Sequence, residues 1–277
     1  MKSALLTASF LTFLAGTTLV PVVANAQEVE NNAPAQVEPY SRLDLNHYPN
    51  LKDKDDFLTL QTAPDSLALL PPPPQPKSAR FEADIAAYKA GLELRKTERG
   101  ELARSDAKQT PEEIGKSFSS ALGIEISPQN TPITYNLMWR MVGDLGDEAV
   151  DRAKAHYKRI RPFMMFKTRS CQSEQDEANM RKNGSYPSGH TAFGWGFALI
   201  LAEIAPDKQN AILKRGFEYG QSRVICGAHW QSDVDAGRVV GAAAVAKLHT
   251  IAAFQRELSA AKEEIAKLEQ QKAGKSH

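Results

Sequence analysis

Apolar residues recur at three- and four-residue steps along most of this chain. Phe81, Ile85, Tyr88 and Leu92 form one such series and would share one face of a helix. The same period runs through Ile133–Met141, Glu148–Ile160, Thr191–Ile204, Gln209–Tyr219 and Val234–Leu248. Alternating strand-like runs joined by tight hairpin dipeptides are essentially missing from the sequence. The pattern predicts an all-α fold, with a single compact helical domain over residues 53–255.

The beginning of the chain shows a different pattern. Lys2 precedes a long uncharged stretch that ends in Ala24-Asn25-Ala26, which predicts a secretory signal peptide over residues 1–26, cleaved after Ala26. A membrane anchor is the alternative, but Ser and Thr dilute the stretch and Pro21 interrupts it. Residues 27–52 are polar and proline-bearing, which predicts a loosely ordered segment. We therefore expect an exported protein without stable membrane association once the signal is removed.

Two further segments stand apart from the domain pattern. Pro71-Pro72-Pro73-Pro74 predicts a stiff polyproline stretch, interpreted as a spacer packed on the domain rather than as an exposed ligand for another protein. Residues 256–277 predict a C-terminal helix and tail. The apolar stripe of this helix consists of Leu258, Ala261, Ile265 and Leu268. A short coiled coil is one interpretation, but docking on its own domain is favoured because the segment is short.

Composition narrows the classes of function. The 277 residues are 42% hydrophobic and 24% charged, and 34 basic against 33 acidic side chains give a net charge of +1. These values exclude a wholly disordered chain and argue against a protein whose main role is to coat nucleic acid. Cys171 and Cys226 are too few for a disulfide framework or a four-thiolate zinc site. Export implies an oxidising compartment, so we predict one disulfide between them; two buried free thiols are the alternative.

Cationic and imidazole side chains concentrate in three segments, of which the first contains Lys154 and Arg161-Pro162. Seven residues are two helical turns, so both cations would project from one helix face. Pro162 would end that helix and restrict Arg161, whose guanidinium could then point into a pocket. Two cations on one face suit a phosphate or carboxylate ligand, although a Lys/Arg-rich helix is usually only a solvated surface.

The second segment, Gly184–Thr191, opens directly onto a strongly apolar stretch that predicts a buried helix. Free N–H groups and the dipole at a helix start favour an anion. Ser188 would add a hydroxyl donor, or would serve simply as the N-cap. Gly189 would let the backbone approach a ligand closely. An N-cap alone does not explain His190, which stands at the mouth of the predicted helix.

The third segment contains Ser222-Arg223, His229 and Asp233. If a helix begins near His229, Asp233 lies one turn on and shares its face. A carboxylate there can keep one ring nitrogen protonated and leave the other as a directed nucleophile or base. A His–Asp pair at this spacing is also common as a structural hydrogen bond, so the pair alone does not establish catalysis.

Together the three segments resemble the phosphatidic acid phosphatase type 2 / vanadium haloperoxidase superfamily, whose signature is Lys-x6-Arg-Pro, Pro-Ser-Gly-His and Ser-Arg-x5-His-x3-Asp. All three motifs are present in this order. Within the superfamily, residues 184–191, the Leu70–Pro74 stretch and the signal peptide are similar to the bacterial class A non-specific acid phosphatases. The resemblance spans most of the mature chain. It implies a helical-bundle core and a periplasmic acid phosphatase that hydrolyses phosphomonoesters with broad specificity.

The resemblance also implies a role for each motif residue. The phosphoryl oxygens would be bound by Lys154, Arg161, Ser188, Gly189 and Arg223. His229 would attack phosphorus and form a phosphohistidine, with Asp233 orienting the imidazole. His190 would protonate the leaving alkoxide and then activate water. We therefore expect small phosphomonoesters as partners, no nucleic acid, no cofactor or metal ion, and inhibition by vanadate; homo-oligomerisation is left open.

Three other functions would use the same residues. The first is a haloperoxidase that holds vanadate in the same pocket, but the short chain and the Gly184–Thr191 octapeptide favour the phosphatase. The second is a metallohydrolase with zinc on His190, His229 and Asp233, although three or more cations around that pocket would repel a divalent ion. The third is a non-catalytic phosphate-binding or scaffold protein, which accounts for the cations but gives both histidines no role.

Overall fold

The computed structural model describes residues 56–275, and this part of the chain is built from helices α1 to α12. Their bounds are α1 (Ser66–Leu69), α2 (Ala79–Leu94), α3 (Glu98–Asp106), α4 (Pro111–Leu122), α5 (Pro132–Gly143), α6 (Asp151–Tyr157), α7 (Pro162–Met165), α8 (Glu174–Met180), α9 (Gly189–Ile204), α10 (Gln209–Ile225), α11 (Gln231–Leu248) and α12 (Ala252–Lys275). A π-helical turn over Asp144–Glu148 follows α5, and a 3₁₀ turn over Pro206–Lys208 follows α9. Because residues 56–275 contain no β-strand, the predicted all-α fold is confirmed.

The predicted signal peptide, its cleavage after Ala26 and the segment over residues 27–52 lie outside the described residues. They stay predictions, as does the periplasmic location that depends on them. Within residues 56–275, no helix has both the length and the apolar character needed to cross a membrane.

Helix α9 is the centre of the fold and packs against both α10 and α11. It is apolar around most of its circumference, as expected of a helix surrounded by others. Its large side chains in the main core include Phe193, Phe197 and Leu201, which are buried. This packing fixes the start of α9, where the Pro-Ser-Gly-His motif lies, at one place between its neighbours.

The predicted helix over Glu148–Ile160 is wrong in its extent. Helix α6 ends at Tyr157, because Lys158 adopts a left-handed conformation (φ 43°) and its N–H bonds back to the Lys154 carbonyl. The chain then leaves the helix and Arg161 is extended (φ −77°, ψ 152°). A left-handed cap on a lysine is uncommon, and no glycine marks it, so this early end could not be predicted from the sequence.

Pro162 therefore begins a helix rather than ending one. It occupies the first position of α7, where a missing N–H costs nothing, and Arg161 is the N-cap residue. As a result, Lys154 and Arg161 do not share a helix face, although their spacing predicted that they would. They nevertheless converge, because the chain folds back and both side chains donate to the Gly184 carbonyl, Lys154 Nζ at 3.0 Å and Arg161 Nη2 at 3.4 Å.

The predicted disulfide is confirmed. Cys171 and Cys226 are bonded, with their Cα atoms 4.7 Å apart, and the Cys171 N–H donates to the Cys226 carbonyl at 3.2 Å. The bond joins the loop before α8 to the residue that caps α10. In the chain-entropy description, closing a loop of 55 residues removes about 4 kcal/mol of unfolded-state freedom.

The C-terminal helix α12 is part of the core. Leu258, Ala261 and Ile265 are at most 1% exposed, and the helix packs against α5 and α9. The polyproline stretch is also packed on the domain at its far end, where Pro73 and Pro74 are buried. The docked interpretations thus describe both segments better than an exposed coiled coil or an exposed ligand.

Glu264 on α12 completes the start of α5. Thr131, at the N-cap position of α5, makes no side-chain capping bond. Instead, the Glu264 carboxylate accepts the N–H groups of Ile133 and Thr134, each at 2.9 Å, and the Thr134 hydroxyl at 2.7 Å. A carboxylate at a helix N-terminus satisfies free donors and complements the helix dipole.

We predict that Glu264→Ala lowers the free energy of unfolding by about 1–2 kcal/mol, because two backbone donors of α5 lose their acceptor. Urea denaturation followed by circular dichroism measures the change. Glu263→Ala, at an exposed position one residue earlier, is the matched control and should be near neutral. Equal destabilisation by both variants would contradict the capping role.

Candidate functional site

The sequence-predicted site residues meet where the start of α9 approaches the end of α10 and the start of α11. Each of their side chains is at most 7% exposed, and Asp233 and Ser188 are completely buried. The buried members with side chains are Lys154, Arg161, Ser188, His190, Arg223, His229 and Asp233. Gly189 lies at the first position of α9 between Ser188 and His190. The structure therefore brings all eight residues into one buried region.

The hydrogen bonds of His229 define its tautomer. Its Nε2 lies 3.0 Å from Arg161 Nη1, and a guanidinium has only donors, so Nε2 accepts. Its Nδ1 then carries the proton and donates to the Ser185 carbonyl at 2.8 Å. Burial and three neighbouring cations lower the pKa of His229 well below its ordinary value of 6.5, which favours this neutral form. The ring thus presents a lone pair on Nε2.

Asp233 lies beside the protonated nitrogen, but it is not the nearest acceptor. Its Oδ2 is 3.4 Å from His229 Nδ1, farther than the Ser185 carbonyl. The same Oδ2 accepts the Trp230 N–H at 2.8 Å, and Oδ1 accepts Arg159 Nη1 at 2.5 Å. Burial raises the pKa of Asp233, and the Arg159 guanidinium opposes that shift. Sequence reasoning missed the Ser185 carbonyl, because a backbone acceptor has no signature in the sequence.

Lys154 and Arg161 satisfy most of their buried donors on backbone and amide oxygens of residues 180–184. Besides Gly184, Arg161 donates to the Met180 carbonyl at 3.0 Å, to Asn183 Oδ1 at 2.8 Å and to the Ala228 carbonyl at 3.1 Å. Burial, and next the charge of Arg161, lower the pKa of Lys154. The two cations are held by neutral acceptors, which an oxyanion can replace.

Arg223 lies on the last turn of α10, with its Nη2 3.7 Å from Met180 Sδ. In the amide orientation that satisfies both of its ends, the Gln172 oxygen accepts from Arg223, and its nitrogen donates to the Ala107 carbonyl at 3.1 Å. Gln172 directly follows Cys171, so the disulfide holds this contact close to the end of α10. The sequence contained no signal for Gln172.

The start of α9 combines capping with close packing. Ser188 Oγ accepts the N–H of Thr191 at 3.2 Å and its hydroxyl at 2.9 Å, so Ser188 is the N-cap. Its own N–H donates to the Asp233 carbonyl at 2.9 Å. A Cβ on Gly189 would lie 2.2 Å from the carbonyl oxygen of Gly146, in the π-helical turn, so only glycine fits. These contacts tie the Pro-Ser-Gly-His motif to both flanking elements.

His190 is held by ring stacking. It lies parallel to Tyr219, with centroids 4.6 Å apart and planes 7° apart. Within residues 56–275, neither of its ring nitrogens makes a hydrogen bond of normal geometry. Burial and Arg223 lower the pKa of His190 well below 6.5, and the backbone of Asp106 opposes the shift. Directed hydrogen bonds therefore fix His190 less firmly than stacking does, and Tyr219 is a contact that sequence reasoning missed.

The stacking requires a glycine on α9. A Cβ on Gly194, one turn after His190, would lie 2.3 Å from Tyr219 Cδ1 and 2.8 Å from Cε1. The ring can lie flat on His190 only because this position has no side chain. Nothing in the sequence distinguishes Gly194 from the other small residues of α9.

Among the described residues, no group of three or more His, Cys, Asp or Glu side chains is arranged to hold a metal ion. His229 Nε2 faces a guanidinium, and both oxygens of Asp233 accept hydrogen bonds. The arrangement is that of an oxyanion site: buried cations, a helix start and two imidazoles.

Comparison with known proteins shows the family to which this fold and site belong. The PAP2 superfamily matches residues 141–257. The chain is 51% identical over 212 residues to the non-specific acid phosphatase of Providencia stuartii, covering 76% of this chain and 85% of the relative. It is 43% identical over 218 residues to the non-specific acid phosphatase of Salmonella typhimurium, covering 79% and 87%, and 38% identical over 203 residues to the acid phosphatase of Zymomonas mobilis, covering 73% and 76%.

The site and the fold define a helical protein with three cations and two imidazoles buried around a helix start. At these identities and coverages, the chain belongs to the PAP2 superfamily, among the bacterial non-specific acid phosphatases. The predicted membership is confirmed.

We predict that Gly194→Ala lowers the free energy of unfolding by about 1–3 kcal/mol, because the new methyl group displaces the buried Tyr219 ring. The matched control is Gly274→Ala, where a Cβ meets nothing within 4 Å. On helix propensity the control should be neutral or stabilising by up to about 1 kcal/mol. Urea denaturation of both variants measures the difference, and an unaffected Gly194→Ala would contradict this account of the packing.

Proposed function

We propose that the protein is an exported acid phosphatase that hydrolyses phosphomonoesters through a phosphohistidine on His229, without a metal ion. Membership among the non-specific acid phosphatases supports the reaction class. The observation that carries the mechanism is the tautomer of His229, whose Nε2 lone pair points at the Arg161 guanidinium. The disulfide supports export, because such bonds persist in oxidising compartments.

The three buried cations bind the phosphoryl group. On binding, the phosphoryl oxygens replace the protein acceptors of Lys154, Arg161 and Arg223, and charge-assisted bonds of this kind are about twice as strong as neutral ones. The start of α9 adds the favourable end of the helix dipole. Fixed donors stabilise the charge spread over the equatorial oxygens, which is most of what phosphoryl transfer requires. Phosphorus is thereby placed next to His229.

The first chemical step is nucleophilic attack by His229. Its Nε2 lone pair forms an N–P bond while the bond from phosphorus to the ester oxygen breaks, and the electrons of that bond stay on the departing oxygen. Nδ1 keeps its proton, held by the Ser185 carbonyl and by the nearby Asp233 carboxylate. The positive charge that develops on the imidazole is stabilised by that carboxylate.

His190 moves the protons. The bound phosphoryl group is negative and raises the pKa of His190, since an opposite charge favours the protonated ring. His190 then gives a proton to the departing oxygen, which leaves as an alcohol. In the second step, His190 takes a proton from water, the water oxygen attacks phosphorus, and the N–P bond breaks with its electrons returning to Nε2. Phosphate is released and both histidines are restored.

We predict that His229→Ala lowers kcat/KM for a chromogenic phosphomonoester by about 10³-fold or more, since the nucleophile is lost while the cations remain. Asp233→Asn should be less damaging, because the imidazole stays in place. The matched control is His156→Ala, at an exposed histidine of α6. Mass spectrometry after alkaline quenching should find a phosphoryl group on the peptide that contains His229. Near wild-type activity of His229→Ala would overturn the covalent mechanism.

We predict that prolonged treatment with EDTA followed by gel filtration leaves the activity unchanged, because the charge on phosphate is met by Lys154, Arg161 and Arg223. Vanadate should inhibit, since it adopts five-coordinate geometry that resembles the transition state. Loss of activity restored by zinc or magnesium would instead make His190, His229 and Asp233 metal ligands. Halide oxidation by the vanadate-loaded protein, without phosphatase activity, would favour the haloperoxidase.

A further inference from the structure

Arg159 is a charged site residue to which the proposed mechanism gives no part. It follows the left-handed Lys158 and its side chain is 9% exposed. Its Nη1 donates to Asp233 Oδ1 at 2.5 Å and to Ser232 Oγ at 2.7 Å, and its Nη2 donates to Asp84 Oδ2 at 2.7 Å. One guanidinium therefore joins two carboxylates that are 149 residues apart in the sequence.

Asp84, on α2, is the outer member of this network. Its side chain is 3% exposed, and it accepts the Ser232 N–H at 2.8 Å through Oδ1 and the Ser232 hydroxyl at 2.6 Å through Oδ2. Ser232 lies in the first turn of α11, next to Asp233. Asp84 thus fixes both the guanidinium of Arg159 and the helix start from which Asp233 projects.

The bonds divide the two oxygens of Asp233 between different partners. Oδ1 is occupied by Arg159, whereas Oδ2 faces His229 Nδ1 at 3.4 Å and accepts the Trp230 N–H. If the guanidinium were lost, the carboxylate could rotate and exchange its oxygens. A planar, forked guanidinium that bridges two carboxylates prevents this rotation. The compact ammonium group of lysine cannot hold both carboxylates in the same geometry.

The charges of the network also suit a reaction that makes a cation. Two carboxylates and one guanidinium leave a net charge of −1 in a buried region next to a neutral imidazole. Arg159 and His229 lie directly against the Asp233 carboxylate, and Asp84, Lys154 and Tyr186 interact with it electrostatically. The Asp233 carboxylate would stabilise a cationic phosphohistidine at His229 from its Nδ1 side.

We propose that Arg159 and Asp84 are positioning residues for the phosphoryl-transfer step, holding Asp233 so that its Oδ2 stays beside His229 Nδ1 and stabilises the charge that develops on the imidazole. The inference rests on the proposed role of His229 as nucleophile. Both side chains are occupied by protein partners, so we expect their effect to pass through Asp233 and to appear in kcat rather than in KM.

The test is a double-mutant cycle between Asp84 and Asp233 in the full-length enzyme, with a chromogenic phosphomonoester as substrate. Asp84→Asn keeps the side-chain shape and should lower kcat about 10- to 100-fold with little change in KM. Arg159→Lys should do the same. In the Asp233→Asn background, adding Asp84→Asn should lower kcat by less than about 3-fold further. The reason is that Asp84 acts through the Asp233 carboxylate, which that background has already lost. The control is Asp235→Asn, which removes the ion pair with Arg238 on α11 and should leave kcat unchanged.

A second measurement does not depend on turnover. Nitrogen-15 NMR of the labelled imidazoles should find His229 protonated on Nδ1 in both proteins, because Arg161 and the Ser185 carbonyl stay in place, with the Nδ1 resonance shifted in Asp84→Asn because the neighbouring Asp233 carboxylate has moved. Additive effects in the cycle, or Asp84→Asn and Arg159→Lys with wild-type kcat and an unchanged His229 Nδ1 resonance, would overturn the positioning role. If instead His229→Ala and Asp233→Asn both keep full activity, the proposed function itself fails.

Discussion

Burial of positive charge is the constraint on which the site depends. Lys154, Arg161 and Arg223 are each at most 7% exposed, and removing a cation from water costs several kcal/mol unless other groups replace its hydration. The chain supplies these groups largely as backbone carbonyls, from Met180, Gly184 and Ala228. Carbonyls satisfy a cation without neutralising it, so the region keeps a positive potential that an oxyanion can meet. The loop between α8 and α9 is therefore as much a part of the site as the cations are.

The same constraint explains the state of the two histidines. Neither can be protonated easily beside buried cations, and burial lowers the pKa of both. They are nevertheless held in different ways: His229 by directed hydrogen bonds on both nitrogens, and His190 by stacking on Tyr219. His229 is fixed in a single tautomer, whereas no hydrogen bond of normal geometry fixes the tautomer of His190. This difference is consistent with the separate roles proposed for them, nucleophile and proton carrier.

Much of the fold and of the site was predictable from the sequence, and the failures have physical causes. Helical periodicity predicted α9 and α11 well, since their burial depends on it. The end of α6 was missed because Lys158 reverses the chain in a conformation that its residue type does not signal. The Ser185 carbonyl is invisible in any sequence. Asp84 was missed because its partner Arg159 lies 75 residues away, and only the folded chain brings them together.

The contact between Glu264 and the start of α5 has a consequence for the order of events during synthesis. Everything that forms the oxyanion site, from Lys154 to Asp233, is made before α12, yet α5 has no side-chain cap of its own until residue 264 arrives. The buried stripe of α12 is likewise supplied last. Chains that end before α12 should consequently hold a looser core than the full-length chain.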